Sequence, residues 1–262
     1  MKAYIRKITE LLCRWLDELL FPENVLCLCC DRALGEDATD GVCPACAKAL
    51  ARLNERCEEW ERTHGVKSLE GIACVHAAYF YEGPARQLVH RLKYDCIRAA
   101  HIPLARPMAF LPSGEEEIIV PVPTDPKRKR RRGFNQSELL AEYVGRELGM
   151  QVSCALRRTE SRRPQTGLNA WQRRENLKGC MVADASVSGK RVLLVDDVYT
   201  TGSTAQEAAR ALLEAGAESV RLITACRTTD ERLDETDPFA LPQRGLNRAK
   251  ILKNPDKNSG EL

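Results

Sequence analysis

The amino-acid sequence predicts an α/β protein, with a mostly parallel β-sheet flanked by helices and a small N-terminal helix and cysteine-rich module in front of it. Two observations predict this fold class. From about residue 73, short apolar segments of the strand type alternate with amphipathic helical segments, as in parallel sheets covered on both faces. Residues 27–46 contain two C-x-x-C pairs. The 262 residues, 44% of them hydrophobic, suffice for one good core and a smaller appendage.

The first segment predicts a helix over residues 4–20. Apolar residues from Ile5 to Leu20 recur at helical spacing, and Pro22 ends the pattern. We expect this stripe to pack on the rest of the protein, because the polar face mixes both charge signs, unlike a membrane-surface helix. The charges within residues 1–21 exclude the apolar region of a signal peptide, and no stretch reaches about 18 consecutive apolar residues. The sequence therefore predicts a cytoplasmic protein without a membrane span.

The cysteine pattern predicts a structural zinc site. The chain has 12 cysteines, and in a cytoplasmic protein these favour metal binding or free thiols over disulfides. Cys27 and Cys30 form one C-x-x-C pair, and Cys43 and Cys46 form a second after a spacer of twelve residues. Four thiolates at this spacing suit tetrahedral Zn²⁺. Cys29 stays outside the ligand set because Cys-x-Cys is too tight. Free cysteines are the alternative, and a redox role is disfavoured because neither pair opens a βαβ unit.

The remaining elements follow in chain order. Residues 51–70 are helical at first and then loop-like, with a domain boundary near residue 70. Turn residues and periodicity then predict strands at 73–81, 118–121, 152–156, 192–195 and 220–225, helices at 83–95, 136–148 and 204–214, and a long polar loop at 158–178. After residue 229 the pattern ends, which indicates a disordered tail. The predicted division is therefore 1–70, 71–228 and 229–262.

The segment "VLLVDDVYTTGST", residues 192–204, carries the strongest functional signal. In α/β sheets, ligands bind beyond the carboxyl ends of the strands, where Asp196 and Asp197 stand. Two adjacent carboxylates are costly to bury without a partner, and ribose hydroxyls, hydrated Mg²⁺ or basic side chains would serve. The next residues offer hydroxyls, backbone N–H groups and the start of a helix, which together suit a phosphate: Thr200, Thr201, Gly202, Ser203 and Thr204. The segment therefore predicts a sugar-phosphate site.

Three other interpretations of this segment compete with the sugar-phosphate site. The first is a solvated aspartate pair followed by a capped helix. The second is the acidic strand of a nucleoside triphosphatase, but that site requires a G-x-x-x-x-G-K-[ST] loop, which the chain lacks. The third is dinucleotide binding, for which the G-x-G-x-x-G fingerprint is absent. The sugar-phosphate interpretation is the one that uses every residue of the segment.

Several motifs together carry a family resemblance. The segment 192–204 resembles the phosphoribosyl-pyrophosphate motif of type I phosphoribosyltransferases. With it occur, in order from the N-terminus, "CLCC", "CPAC", "YEGPARQLVHRLKY", "PVP", "RRGFNQS" and "QTGLNAWQRREN". This ordered set resembles the ComF family, the competence-associated, type I phosphoribosyltransferase-like proteins, over roughly residues 20–228. The resemblance implies a type I phosphoribosyltransferase-like sheet flanked by helices.

The resemblance also implies site residues. Asp196 and Asp197 would contact the ribose of phosphoribosyl pyrophosphate directly or through Mg²⁺, as the catalytic pair, and Thr200–Thr204 would hold its 5′-phosphate. The turn after Val120 would approach the pyrophosphate, and residues 160–176 would close over the site. Three further residues take ligand-binding positions by motif, for which helix capping or simple exposure are the alternatives: Lys93, Arg132 and Asn135.

The sequence names no acceptor for a transferase, so turnover is inferred from the fold alone. The family context implies handling of single-stranded DNA in natural competence, with other competence proteins as partners. The run "KRKRRR", Lys127–Arg132, would supply the DNA-binding charge in a chain of net charge +3, while aromatic residues, at 5%, argue against base-stacking platforms of the RNA-binding kind. The alternatives are a nucleic-acid-binding protein with a silent sugar-phosphate site, and an active phosphoribosyltransferase on a small base or amine in nucleotide metabolism.

Overall fold

The structure, a computed structural model, describes residues 26–112, 114–159 and 179–228. The helix predicted at 4–20, the closing loop at 160–176 and the tail at 229–262 lie outside the described residues. Of the polar loop predicted at 158–178, residues 158 and 159 are described. None of the helices within the described ranges is long and apolar enough to cross a membrane.

The described part of the chain contains a five-stranded sheet, a two-stranded sheet and six α-helices. The strands are β1 Lys67–Leu69, β2 Ile72–Phe80, β3 Ile118–Pro121, β4 Leu156–Arg158, β5 Met181–Ala183, β6 Arg191–Tyr199 and β7 Ser219–Arg227. The helices are α1 Pro44–His64, α2 Gly83–Lys93, α3 His101–Met108, α4 Pro126–Arg132, α5 Gln136–Leu148 and α6 Ser203–Glu214. Short 3₁₀ turns lie at Arg98–Ala100 and Ala185–Val187.

The main sheet has the strand order β1-β2-β7-β6-β3. Strands β2, β7, β6 and β3 are parallel, and β1 runs antiparallel along β2. The predicted mostly parallel sheet flanked by helices is therefore confirmed. Strand β6 pairs on both sides, with Val195 opposite Pro121 in β3 and Ile223 in β7. A strand buried on both faces needs a continuous apolar run, which residues 192–195 provide.

Both faces of the sheet are covered. Successive residues of β6 point to opposite faces, so Leu193 and Val195 join the core under α1–α3 and α5, while Val192 and Leu194 join the core under α6. The first of these cores continues without interruption into the cysteine module at Cys27.

Helix α1 connects the cysteine module to the sheet. It buries Leu50, Leu53 and Cys57, and Asn54 Nδ2 donates to the Ala78 carbonyl of β2 at 2.8 Å. The division at residue 70 stays a prediction, since the helix belongs to the first segment and packs on the second.

Helices α3 and α4 were not predicted. Two prolines, Pro103 and Pro107, interrupt the helical signal of α3, yet the segment buries Leu104 and Met108 completely, so tertiary packing overrides the local preference. Helix α4 contains the basic run, which has no apolar periodicity; none of its residues is buried as a whole.

Local end signals explain α4. Asp125 caps the helix by accepting the N–H groups of Lys127 and Arg128, Pro126 occupies its first position, and Gly133 ends it in a left-handed conformation. Lysine and arginine are themselves good helix formers.

The strand predicted at 152–156 has the wrong bounds. Residues 151–153 make only two hydrogen bonds to Ile119, at 2.9 and 2.8 Å, and the strand proper is β4, displaced toward the C-terminus and paired with β5 in the separate small sheet. Of the predicted segment, only Ala155 and Leu156 are buried, and local preference for a strand does not specify its pairing partner.

Candidate functional site

The acidic pair lies in the second half of β6 and faces side chains from two helices. Asp197 Oδ1 is 2.8 Å from the Nζ of Lys93 at the end of α2. Asp196 Oδ1 accepts the Ser137 hydroxyl of α5 at 3.0 Å and the Asp197 backbone N–H at 2.8 Å. Asp197 is 9% exposed. Packing therefore brings together the two predicted carboxylates, Lys93 and a serine that sequence reasoning missed.

Burial and neighbouring charges shift the pKa values of Asp196 and Lys93. Burial and the neighbouring Asp197 carboxylate raise the pKa of Asp196 to about 7. For Lys93, burial by itself lowers the pKa, but the charge and hydrogen bond of Asp197 prevail and raise it. The Lys93 ammonium therefore stays charged at neutral pH, and Asp196 is a carboxylate that a cation or a hydroxyl donor would stabilise.

The predicted phosphate loop lines a depression next to the acidic pair. Its walls include Asp196, Tyr199, Thr224 and residues 200–204. Gly202 has φ +78°, and a Cβ there would lie 2.9 Å from Leu69 Cδ1 and 3.0 Å from Tyr199 Cε2, so glycine is required. Helix α6 begins at Ser203, and its first N–H groups have no partner inside the helix. The loop therefore presents hydroxyls and unpaired donors toward one opening.

Asn135 is committed to the fold. Its Oδ1 accepts the Ser137 N–H at 3.2 Å, and its Nδ2 donates to the Val122 carbonyl at 3.0 Å. The residue is 1% exposed. It thus ties the start of α5 to the end of β3 and sets the position of Ser137 against Asp196, which is a positioning role. The signal for this role was the "NQS" sequence, in which asparagine is an N-cap.

Arg132 lies at the edge of the same site. Its guanidinium carbon is 5.8 Å from the centroid of the Tyr94 ring. Burial and the charge of Arg128 lower the pKa of Arg132, and the charge of Asp197 opposes this effect. Its Nε is buried and, among the described residues, has no hydrogen-bond partner. Arg132 is therefore a cation of the basic run that interacts electrostatically with the acidic pair.

Within the described residues, the other members of the basic run point to solvent. Residues 127–131 are exposed, and Lys129 Nζ forms an ion pair with Glu138 at 2.8 Å. In the part of the chain that the structure describes, Lys127, Arg128 and Arg130 form no ion pair with an acidic side chain. Helix α4 leads directly through Gly133 into Asn135, so this exposed charge adjoins the site.

The four predicted cysteines form one cluster that could hold a metal such as zinc. The sulfurs of Cys27, Cys30, Cys43 and Cys46 all lie within 4.8 Å of one another. Cys30 Sγ and Cys43 Sγ are 3.8 Å apart, and two thiolates on a tetrahedral Zn²⁺ with bonds of about 2.3 Å would be separated by roughly 3.8 Å. The donors and their spacing therefore fit the ion.

The cysteines of this module differ in the pKa of their thiols because their surroundings differ. Burial alone would raise the pKa of Cys27, but backbone N–H groups of Cys43 and Cys29 donate to its sulfur at 3.4 Å, and the pKa is lowered to about 7. Burial raises the pKa of the Cys29 thiol. Cys29 is 2% exposed and packs as an apolar residue, in keeping with its place outside the predicted ligand set.

Ion pairs join the cysteine module to the helices next to the site. Asp31, directly after Cys30, pairs with Arg91 of α2, two residues before Lys93. Asp40, on the turn before Cys43, pairs with Arg106 of α3 at 2.9 Å. Both aspartates have positive φ, +58° and +55°. Aspartate is one of the few residue types that adopts this left-handed conformation in turns.

Comparison with known proteins places these features in a family. The phosphoribosyl transferase domain family matches residues 135–242. "DNA utilization protein YhgH" of Escherichia coli O157:H7 is 33% identical over 221 residues, which cover 78% of this chain and 90% of the relative. "Competence protein ComFC" of Bacillus subtilis strain 168 is 29% identical over 220 residues, covering 80% and 87%. "Competence protein F" of Haemophilus influenzae strain Rd is 38% identical over 110 residues, covering 40% and 48%.

Proposed function

Because the chain belongs to the ComF family of phosphoribosyltransferase-like proteins, we propose that it binds phosphoribosyl pyrophosphate with Mg²⁺ and acts on DNA in natural competence. The observation that carries the proposal is that Asp196 of the acidic pair and residues 200–204 line one depression. A carboxylate pair and a cradle of N–H and hydroxyl groups are the two halves of a receptor for a phosphorylated sugar.

Different residues would bind different parts of phosphoribosyl pyrophosphate. The loop from Thr200 to Thr204 and the N-terminus of α6 would hold the 5′-phosphate. Asp196 and Asp197 would accept the ribose hydroxyls, and their oxygens are the ligands that Mg²⁺ prefers. The ion would supply positive charge to the pyrophosphate. Lys93 would hold Asp197 in place through their ion pair, and Ser137 would orient Asp196 through its hydroxyl.

Calorimetry tests the site assignment. Titration of phosphoribosyl pyrophosphate with Mg²⁺ into the Asp196→Asn/Asp197→Asn variant should show affinity at least about tenfold weaker than for wild type, since charge-assisted hydrogen bonds contribute about 1.5–3 kcal/mol each. The matched control is Glu58→Gln/Glu59→Gln, an adjacent acidic pair that is exposed on α1. Wild-type affinity in the aspartate variant would contradict the assignment.

The DNA-binding part of the proposal is supported by a second observation. Helix α4 exposes cations at residues 127–131 next to Arg132, and relatives carry names that refer to DNA utilization and competence. Binding by phosphate neutralisation needs such a cationic surface. The proposed ligand is single-stranded DNA, and other competence proteins are the proposed partners.

The alternative function is turnover on a small base or amine in nucleotide metabolism. The family match to a phosphoribosyl transferase domain favours it. Release of pyrophosphate from phosphoribosyl pyrophosphate, measured with a panel of bases and amines, separates the two: turnover with a free acceptor supports the alternative, and binding without turnover supports the DNA-handling role.

We also propose that Cys27, Cys30, Cys43 and Cys46 hold a structural Zn²⁺. The support is the donor set and its spacing, described above. A segment as small as this module contains little core of its own, so bound metal would supply much of its folding free energy.

A further inference from the structure

A thiol, an imidazole and a carboxylate meet between β2 and α1. His76 Nδ1 of β2 lies 2.8 Å from Glu61 Oε2 of α1, and the His76 ring also forms a hydrogen bond with the side chain of Cys74. Cys74 and His76 are two residues apart in one strand, so their side chains point to the same face of the sheet. None of these three residues lines the depression beside the acidic pair.

The carboxylate is held in place by contacts of its own. Its second oxygen, Glu61 Oε1, accepts the Ala77 backbone N–H at 3.1 Å and lies 3.6 Å from the Arg227 guanidinium. The side chain of Glu61 is 10% exposed and that of His76 is 23% exposed, and Cys74 is partly exposed. The imidazole is therefore oriented by a largely buried group, while the thiol remains within reach of solvent.

These three groups form the arrangement of an activated thiol. The thiolate is the nucleophilic form of cysteine, and a protonated imidazole next to the sulfur stabilises it. Cys74 and Glu61 raise the pKa of His76 to about 9, so its imidazole is protonated at neutral pH. A nucleophile, a histidine beside it and a group that orients the histidine are the parts that covalent catalysis by cysteine uses.

We propose that Cys74 is a site of covalent modification by low-molecular-weight disulfides, activated by His76, which Glu61 positions. The Cys74 thiolate attacks one sulfur of the disulfide, and a new S–S bond forms while the S–S bond of the reagent breaks. The electron pair of the broken bond leaves with the second sulfur, which takes up a proton from the His76 imidazolium. Cys74 is thereby oxidised to a mixed disulfide, and half of the reagent is reduced to a thiol.

Disulfide exchange suits this position better than acyl transfer. Acyl transfer requires donors preorganised for an oxyanion, whereas exchange requires a thiolate and an accessible sulfur. A purely structural role for Cys74 makes a different prediction. If exposure alone decided reactivity, the exposed thiols of Cys96 and Cys154 would react before the partly exposed Cys74.

The experiment treats the full chain with a limiting amount of oxidised glutathione at pH 7 and follows each cysteine by mass spectrometry of its peptides. In the wild type, Cys74 should form the mixed disulfide about three to ten times faster than Cys96 or Cys154. A larger thiolate fraction raises the rate, and the lower nucleophilicity of a stabilised thiolate offsets part of the gain. His76→Gln should remove this advantage.

The matched control is His64→Gln, which replaces an exposed histidine of α1 whose Nδ1 lies 3.1 Å from the Trp60 carbonyl oxygen. This variant should keep the fast reaction of Cys74. Cys57, at 0% exposure, reports unfolding, because it becomes labelled only when the chain opens.

Two results overturn the inference. The first is a wild-type protein in which Cys74 reacts no faster than Cys96 and Cys154. The second is a His76→Gln variant that keeps the advantage of Cys74 while Cys57 stays unlabelled. If His76→Gln exposes Cys57, the order of labelling in the wild type decides. The test is independent of phosphoribosyl pyrophosphate, so its failure leaves the proposed function standing.

Discussion

Glu61 is a single carboxylate that joins three elements of the fold. It accepts His76 Nδ1 of β2 at 2.8 Å and the Ala77 N–H at 3.1 Å, and it lies 3.6 Å from the guanidinium of Arg227 at the end of β7. Arg227 in turn lies 3.7 Å over the ring of Trp60. These contacts hold α1 against the sheet, and the charges compensate one another in a largely buried position.

This arrangement makes stability depend on the protonation of His76. A hydrogen bond with Cys74 and the carboxylate of Glu61 raise the pKa of His76 from 6.5 to about 9. A raised pKa means that the folded state binds the proton more tightly, so the stabilisation is complete below about pH 6.5 and is lost as pH rises through 9. We expect the free energy of unfolding to lose about 1–3 kcal/mol from this group over that interval.

Urea denaturation of wild type and His76→Gln at pH 6 and pH 9.5 measures the effect. The difference between the two proteins should be largest at pH 6 and shrink at pH 9.5, because other titrating groups are common to both. A difference that is the same at both pH values would contradict the role of His76.

Helix α4 shows how one element combines local and tertiary control. The capping by Asp125, the proline at the first position and Gly133 at the end define its limits, whereas the contact of Lys129 with Glu138 decides which cations are neutralised. The remaining cations are gathered on one short helix, and their local field exceeds what the net charge of +3 suggests.

We predict that Lys127→Gln/Arg128→Gln/Arg130→Gln weakens single-stranded DNA binding and reduces its salt dependence. Each lost phosphate contact should flatten the slope of log K against log salt by about 0.7. Glutamine keeps the helix propensity, and phosphoribosyl pyrophosphate binding should stay near wild type because Arg132 is retained. The measurement is fluorescence anisotropy of a labelled oligonucleotide at several salt concentrations.

The matched control is Lys48→Gln/Arg52→Gln/Arg62→Gln, which removes the same charge from exposed positions of α1. An unchanged slope in the α4 variant would assign DNA binding to another surface. Absence of DNA binding even at low salt would contradict the DNA part of the proposed function.

At the scale of the whole molecule, the cysteine cluster is connected to the candidate site through α2. Arg91 pairs with Asp31 of the module, and Lys93 on the same helix contacts Asp197 of β6. Helix α3 forms a second ion pair with the module, between Arg106 and Asp40. A metal that holds the turns of the module therefore also holds the helix that presents Lys93.

We predict one zinc per chain by elemental analysis, and mutual stabilisation of metal and ligand. Coupling between two sites is reciprocal. Saturating phosphoribosyl pyrophosphate with Mg²⁺ should therefore raise the affinity for zinc, measured by chelator competition, by the same factor by which zinc raises the affinity for that ligand.

Cys43→Ser/Cys46→Ser should lose the metal and lower the melting temperature, since structural zinc contributes about 10 kcal/mol or more to folding in small domains.

The control is Cys96→Ser/Cys154→Ser, two exposed cysteines outside the cluster, which should keep one zinc per chain. A metal-free protein whose module stays ordered would contradict the structural role. Zinc and ligand affinities that are independent of each other would contradict the connection through α2.

The sequence by itself determined the fold class and the local parts of the site. Apolar runs broken by turn residues identified the parallel strands, the paired C-x-x-C segments identified the cysteine cluster, and residues 192–204 identified the acidic pair and its loop. These features are readable because spacing along the chain carries them: a strand, a knuckle and a strand-to-helix loop each need only neighbouring residues.

Only the tertiary structure decided which distant residues meet. The contact of Lys93 with Asp197, the hydroxyl of Ser137 on Asp196, and the placement of Tyr94 beside Arg132 each join elements that are far apart in sequence. The proline-containing α3 was likewise settled by burial of its apolar face. Local propensity contains no information on such contacts, because they arise when helices on one face of the sheet pack toward the same strand ends.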